Sequence, residues 1–126
     1  MPRKGVISEE TLKRFLEAFN RHDVDAIMTF FAEDCVMDTP RGPHSWGQRF
    51  EGRAAVREAV LARFRGIPDV RYEEDRHFVS GNRGISEWTL RGTMTSGKRV
   101  EVRGCDVFEF RDDKIARKDS FWKIVE

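Results

Sequence analysis

Apolar residues near the start of the chain recur at the spacing of an amphipathic helix. Ser8 has a side chain suited to an N-cap, and Glu9 and Glu10 place negative charge in the first turn, where the helix dipole favours it. The pattern predicts a helix that ends near Asn20. Its apolar positions are Leu12, Phe15, Leu16 and Phe19.

Two further helices are predicted before residue 70. Asp23 is the expected N-cap of the second, whose apolar body runs to Phe31 and must therefore be covered on most sides. The third begins at Gly52 or Arg53 and ends at Gly66. Its apolar line consists of Val56, Val60 and Phe64.

Between these helices, the sequence predicts a short strand over Cys35–Thr39, which Pro40 stops, and an ordered loop over Arg41–Gly52. The length of the loop is typical of the rim or lid of a site. Its side chains His44 and Trp46 are candidates to close over a ligand. The alternative is that Trp46 only covers exposed core.

From residue 70 onward, apolar and polar residues alternate as they do in half-buried strands. The predicted strands are Val70–Val79, Gly84–Thr95, Lys98–Arg111 and Ile115–Val125. The connections between them are short turns, so the strands pair antiparallel. We therefore expect an α+β fold in one domain over residues 1–126, with three N-terminal helices packed in the concave face of a curved, mainly antiparallel sheet.

One predicted strand, Lys98–Arg111, combines an apolar face with a carboxylate. Asp106 has the same parity as Val102 and Phe108, and successive strand side chains point to opposite faces. A carboxylate on a buried face needs hydrogen-bond donors, a wet cavity or a bound proton. Asp106 is thus a candidate for chemistry. The alternative is a bulge at Gly104 that turns it toward water.

The composition mainly argues against certain partners and locations. The chain has 23 Lys and Arg against 22 Asp and Glu, a net charge of +1 without blocks of like charge, so we expect no nucleic acid and no membrane as partners. The basic start Met1–Gly5 leads into the first helix without an apolar signal core, which predicts a cytoplasmic protein. Cys35 and Cys105 lack metal-site spacing, and reduced thiols are expected rather than a disulfide.

Three more polar residues are candidates near the ends of strands. If Asp119 faces the same interior as Asp106, two carboxylates share a pocket and supply an acid and a base. The alternative for Asp119 is a surface ion pair with a basic neighbour. Asp38 and Thr39 end the first strand directly before the loop, and only one of them can face inward.

The remaining histidines carry weaker signals. His77 is expected to be an exposed strand residue, and His22 to make a favourable helix-end contact. Gly92 and Gly104 leave room for a pocket among the interior residues of the second long strand. Those residues are Trp88, Leu90 and Met94. Because the chain contains no nucleophile elbow, phosphate-binding loop or His/Cys cluster, we expect no cofactor and no metal.

Three stretches of the chain resemble the nuclear transport factor 2-like (NTF2-like) superfamily, in particular its SnoaL-like and ketosteroid isomerase-like branches. They are FLEAFNRHDVDAIMTFFAEDCVMDTP, GRAAVREAV and CDVFEFRDDKIARKDSFW. The resemblance implies a cone-shaped fold, a homodimer paired through the outer sheet face, and a small hydrophobic ligand held between sheet and helices. The superfamily hosts isomerases, cyclases, hydratases, hydrolases and non-catalytic binding proteins.

The resemblance also implies roles for individual residues. Asp106 matches the protonated aspartate that donates a hydrogen bond to the enolate in ketosteroid isomerases. The tyrosine donor of those enzymes falls on Phe15, and their general-base aspartate falls on Thr39, one residue after Asp38. Asp119 matches an acid/base aspartate of SnoaL-like polyketide cyclases and of limonene epoxide hydrolases. The Arg-x-Asp motif of the hydrolases falls instead on Trp88 and Leu90.

These observations predict a cofactor-free acid/base enzyme of the isomerase or cyclase type, with an enolate-like intermediate and an unidentified small hydrophobic substrate. The alternative is a non-catalytic ligand-binding or protein-interaction module of the same fold. The predicted catalytic residues are Asp106, Asp119, Asp38 and His44. The predicted substrate-binding residues are Phe15, Phe19, Phe31, Thr39, Trp46, Trp88, Leu90, Phe108 and Phe121.

Overall fold

The computed structural model describes residues 7–126, and the basic start Met1–Gly5 lies outside them. The helices are α1 (Glu9–Asn20), α2 (Val24–Met28) and α3 (Arg53–Gly66). The strands are β1 (Phe31–Asp38), β2 (Arg49–Glu51), β3 (Arg71–Ser80), β4 (Arg83–Thr93), β5 (Arg99–Arg111) and β6 (Lys114–Trp122). Among the described residues, no helix is both long and apolar enough to cross a membrane.

The six strands form one sheet in the order β2-β1-β6-β5-β4-β3. Neighbouring strands pair antiparallel except β1 and β6, which pair parallel. The predicted α+β class with N-terminal helices and a curved, mostly antiparallel sheet is confirmed.

The first two helices begin where their capping residues predict. The Ser8 hydroxyl accepts a hydrogen bond from the Thr11 amide, and the Thr11 side chain accepts one from the Ser8 amide. The Asp23 carboxylate accepts one from the Ala26 amide at the start of α2. The Phe15 ring of α1 makes edge-to-face contacts that join the helices to the sheet. Its aromatic partners are Phe19, Phe30, Phe31 and Phe108.

Two predicted boundaries before α3 were wrong. The second helix ends at Met28, and Phe31 already belongs to β1, which is therefore longer than the predicted strand. The predicted loop Arg41–Gly52 contains the strand β2, which pairs with the end of β1. Gly47, at a φ of 76°, makes the turn possible, because a Cβ atom there would lie 1.8 Å from the Thr39 carbonyl oxygen.

The predicted face alternation of β5 is confirmed. Its register with β4 is unbroken from Arg83 opposite Glu109 to Thr93 opposite Arg99, so there is no bulge at Gly104 and Asp106 faces inward. Cys35 and Cys105 are free thiols, as predicted.

A bulge near the start of β6 decides which of its side chains face the helices. Phe110 lies opposite Ile115, but Glu109 lies opposite Arg117, so Ala116 is one residue more than the ladder needs. Every later residue of β6 is therefore displaced by one position, and Ser120 lies opposite Asp106.

Candidate active site

A cavity of about 240 Å³ lies between the inner face of the sheet and the helices α1 and α3. Its volume is just below the range of about 300–1,000 Å³ that is typical of ligand pockets, which favours a small ligand. Its apolar walls include Phe19, Met37, Phe50, Trp88 and Trp122. Its polar groups come from Thr39, Gln48, Arg63, Tyr72, Asp106, Lys118 and Ser120.

Asp106 is the carboxylate of this cavity and is only 3% exposed. Its Oδ2 accepts a hydrogen bond from Trp88 Nε1 at 3.1 Å, and its Oδ1 accepts one from Ser120 Oγ at 2.6 Å. Lys118 Nζ lies 3.2 Å from the same Oδ1. Asp106 is thus surrounded by donors and acts as an acceptor.

Lys118 supplies the cation of the same wall and is 6% exposed. Its Nζ donates to Ser120 Oγ at 2.9 Å and lies 5.3 Å from the centroid of the Phe19 ring. Ser120 therefore accepts from Lys118 and donates to Asp106. We call these three residues the Lys–Ser–Asp network.

The Trp88–Asp106 hydrogen bond depends on a glycine in the neighbouring strand. Trp88 lies opposite Gly104, and a Cβ atom on Gly104 would lie 2.7 Å from Trp88 Cζ3. Because Gly104 has no side chain, the indole ring packs directly against the Gly104 backbone, and its N–H donates to Asp106. Gly104 was expected to leave room for a pocket, but Trp88 fills the space beside it, and Ile67 fills the space beside Gly92.

Tyr72 and Arg63 add a phenol and a guanidinium to the cavity wall. Burial raises the pKa of Tyr72 to about 12, and the positive charge of Arg63 opposes that rise only in part. Tyr72 is therefore a neutral hydrogen-bond donor at physiological pH. The Arg63 side chain lies over the Trp122 ring, 4.7 Å from its centroid.

A second polar cluster continues across the inner face toward β3. His77 lies opposite Ser86, which lies opposite Asp106. The His77 Nδ1 is 2.8 Å from Ser86 Oγ, its Nε2 is 2.6 Å from Asp75 Oδ2, and Lys13 Nζ is 2.9 Å from that oxygen. The expectation that His77 is exposed was wrong, because its side chain is 7% exposed.

Burial of Asp75 alone would raise the pKa of its carboxyl. The hydrogen bonds from Lys13 and His77 outweigh that effect and hold the pKa below its usual value. Asp75 thus binds the edge of α1 to β3 and fixes the orientation of the His77 ring.

The predicted substrate-binding residues divide between the cavity and the core. Phe19, Thr39 and Trp88 line the cavity. The others on the inner face are buried in the core and do not reach the cavity: Phe15, Phe31, Leu90 and Phe108. Phe121 was placed incorrectly, because it lies opposite Cys105 on the outer face of the sheet and is 51% exposed.

Asp38 and Asp119 both lie on the outer face, so the expectation that Asp119 shares the cavity with Asp106 was wrong. Asp119 lies opposite Val107 on one side and Asp38 on the other. Asp38 is fully buried between two arginines, with its Oδ1 2.8 Å from Arg49 Nε and its Oδ2 2.6 Å from Arg117. Thr39, and not Asp38, reaches the cavity.

His44 and Trp46 stack on each other, with ring centroids 4.8 Å apart, and Arg49 lies over the Trp46 ring. Both side chains are exposed, and neither lines the cavity. Between β1 and β2, the residues that do line it are Thr39, Pro40 and Gln48.

Sequence reasoning missed Lys118, Ser120, Arg63 and Tyr72. The alternation in β6 contained a signal, since Lys118, Ser120 and Trp122 share one parity. Neither face of β6 is apolar, however, so the parity alone could not show which set faces inward.

Asp119→Asn is expected to stabilise the protein at neutral pH by up to about 1 kcal/mol. Burial, and then the nearby Asp38 charge, raise the pKa of the Asp119 carboxyl, with Arg117 opposing. A raised pKa means that the ionised form is disfavoured in the folded state. The gain should therefore be present near pH 7 and vanish below the unfolded-state pKa of about 3.9. Urea unfolding at pH 7 and pH 3 measures it, and a loss of stability at pH 7 would contradict this account.

A comparison with known protein families identifies the family of this chain. Residues 12–118 match the SnoaL-like domain, a span that includes the Lys–Ser–Asp network except for Ser120. The chain belongs to the SnoaL-like family. The resemblance predicted from its sequence is thereby confirmed, and a comparison with curated proteins finds no match.

Several solved structures are similar in fold to this SnoaL-like chain. A candidate polyketide cyclase from Xanthomonas campestris is 25% identical with a TM-score of 0.79, over 89% of this chain and 87% of that one. The epoxide hydrolase/cyclase-like enzyme SalBIII, of pyran ring formation in the polyether salinomycin, is 26% identical with a TM-score of 0.77, over 91% and 89%. An NTF2-like protein of unknown function from Mesorhizobium loti is 29% identical with a TM-score of 0.75, over 91% and 89%. The SnoaL-like protein thus has a fold of the isomerase/cyclase type.

Proposed function

We propose that this SnoaL-like protein is a cofactor-free acid/base enzyme of the isomerase or cyclase type, acting on a small, largely apolar carbonyl compound. The observation that carries the proposal is the buried Lys–Ser–Asp network on the wall of a cavity. A buried ion pair adds little stability compared with well-packed apolar side chains. Its position at a cavity therefore favours a chemical role over a structural one.

In the proposed reaction, Asp106 removes a proton from the carbon next to the substrate carbonyl. The electron pair of the broken C–H bond forms an enolate, and the Lys118 ammonium stabilises the negative charge on its oxygen. In an isomerisation, Asp106 returns the proton to another carbon. In a cyclisation, the enolate carbon attacks an electrophilic carbonyl carbon of the same molecule, and the new alkoxide takes the proton.

This role for Asp106 differs from the one that the ketosteroid isomerase-like resemblance implied. Those enzymes use the matching aspartate as a hydrogen-bond donor, whereas Asp106 here accepts from Ser120 and Trp88. The donors to the enolate are instead Lys118 and the neutral phenol of Tyr72.

The proposal is tested by deuterium uptake. The protein is mixed with cyclohexanone, 2-cyclohexenone and related small ketones in D₂O, and NMR follows exchange at the carbon next to the carbonyl. Exchange faster than in buffer supports the proposal. If these compounds bind but none exchanges, the protein is a ligand-binding module of the same fold.

We also propose that the protein is a homodimer paired through the outer face of the sheet. Phe78 and Ile85 lie opposite each other on that face and are exposed, and Phe121 is exposed on the same face. Large apolar side chains grouped on one sheet face are typical of an interaction surface.

Ile85→Lys is expected to convert the dimer to a monomer, because a charge replaces an apolar side chain at the centre of this surface. Light scattering coupled to size exclusion measures the mass. Glu58→Lys on the exposed side of α3 is the control and should leave the dimer intact. A monomeric wild type, or a dimeric Ile85→Lys variant, would count against this arrangement.

A further inference from the structure

The charges that face the cavity do not cancel. Lys118 pairs with Asp106 at 3.2 Å. Arg63 lines the same cavity, and no carboxylate of residues 7–126 forms an ion pair with it. The guanidinium lies over the Trp122 ring and hydrogen-bonds to the Tyr72 hydroxyl, and its five N–H donors exceed what that one contact uses. The cavity thus has one cation more than it has carboxylates.

We call the side of the cavity formed by Pro40, Arg63 and Trp122 its mouth, and the surface that adjoins it there is also positively charged. A second depression, of about 300 Å³, shares Pro40, Arg63 and Trp122 with the cavity. Glu101 is the one carboxylate that lines it within the described part of the chain, and Arg91 binds that carboxylate at 2.7 Å. The other basic residues that line the depression are Arg41, Lys98, Arg99 and Lys123.

We propose that the substrate carries an anionic group, a carboxylate or a phosphate monoester, and that Arg63 binds this group at the mouth while the apolar body occupies the cavity. The planar guanidinium binds either group through two parallel hydrogen bonds. The basic depression next to the mouth attracts anions and raises their local concentration.

The proposal rests on the proposed function for the position of the reacting carbon. Trp122, which Arg63 covers, is two residues beyond Ser120 on the same face of β6, a distance of about 7 Å. The substrate therefore places its anionic group at one end of the cavity and its acidic carbon near Asp106. This separation keeps the substrate charge away from the Asp106 carboxylate.

Calorimetric titration with three matched compounds tests the site: 3-phenylpropanoate, 2-phenylethyl phosphate and the neutral 3-phenylpropanamide. The wild type should bind at least one anion about tenfold or more tightly than the amide. Arg63→Gln should weaken binding of that anion about 10–100-fold and leave the amide unchanged. Arg63→Lys keeps the positive charge but loses the planar guanidinium. Its affinity for the anion should therefore lie between those of the wild type and Arg63→Gln.

Arg65→Gln is the matched control, because Arg65 lies in the same last turn of α3, is exposed, and lines neither the cavity nor the depression. It should bind like the wild type. Whichever anion binds more tightly identifies the group. Equal affinity for amide and anions, or an Arg63→Gln variant that keeps the preference, overturns the proposal. Anion binding through Arg63 without deuterium exchange into ketones supports this site while the acid/base function fails.

Discussion

Asp106→Asn lowers the rate of proton exchange or turnover about 10²–10⁴-fold, the range that general acid/base catalysis contributes. The amide keeps the size of the carboxylate and an oxygen that accepts from Ser120. It cannot take a proton from carbon. The effect should therefore fall on the rate at saturating substrate. The buried Lys118 ammonium loses its counter-ion, so the variant is also less stable, and circular dichroism at the assay temperature checks that it is folded.

Asp119→Asn is the matched control for this experiment, since it makes the same chemical change on the adjacent strand but on the outer face. Its exchange rate should stay within about twofold of the wild type. Equal loss in both variants, or none in Asp106→Asn, would refute the assignment of the proton transfer to Asp106.

Lys118→Met is expected to lower the free energy of unfolding by about 3–5 kcal/mol, because it leaves the buried Asp106 carboxylate without its cation. The methionine fills most of the space, so the loss of stability comes mainly from the unpaired charge and less from lost packing. Urea unfolding at neutral pH measures it, with Lys123→Met as the control, because Lys123 is an exposed lysine directly after the end of the same strand.

The double variant Lys118→Met/Asp106→Leu separates the two contributions. Because no unpaired charge remains, it should recover much of the stability that Lys118→Met loses. If Lys118→Met lowers the free energy of unfolding no more than the Lys123→Met control does, the ion pair does not stabilise this wall of the cavity.

The sequence predicted the helices and long strands well because their periods are set by burial on one side. The cap of Ser8 on α1 and the alternation of β5 are local signals, and both match the structure. The strand β2 has only three residues, and its pairing with β1 is what makes it a strand, so no period was visible.

The site was harder to predict because its groups come together through register and tertiary packing. Asp106 was found because it interrupts an apolar face. Lys118 interrupts no such face, since β6 has polar residues on both sides. The bulge at Ala116 also makes Ser120, instead of Asp119, the residue that faces inward opposite Asp106. Arg63 reaches the cavity from α3, where its spacing resembles that of a solvated helix face.

The single extra residue at Ala116 makes chain length, rather than residue identity, the variable that selects the groups presented to a ligand. A relative that lacked this residue would present Asp119 where Ser120 stands, with every other residue of the hairpin retained. Evolution can therefore exchange an acid for an alcohol at this position through one inserted or deleted codon. An alignment that matches aspartates by column would miss the exchange, and relatives of this protein are better compared by strand register.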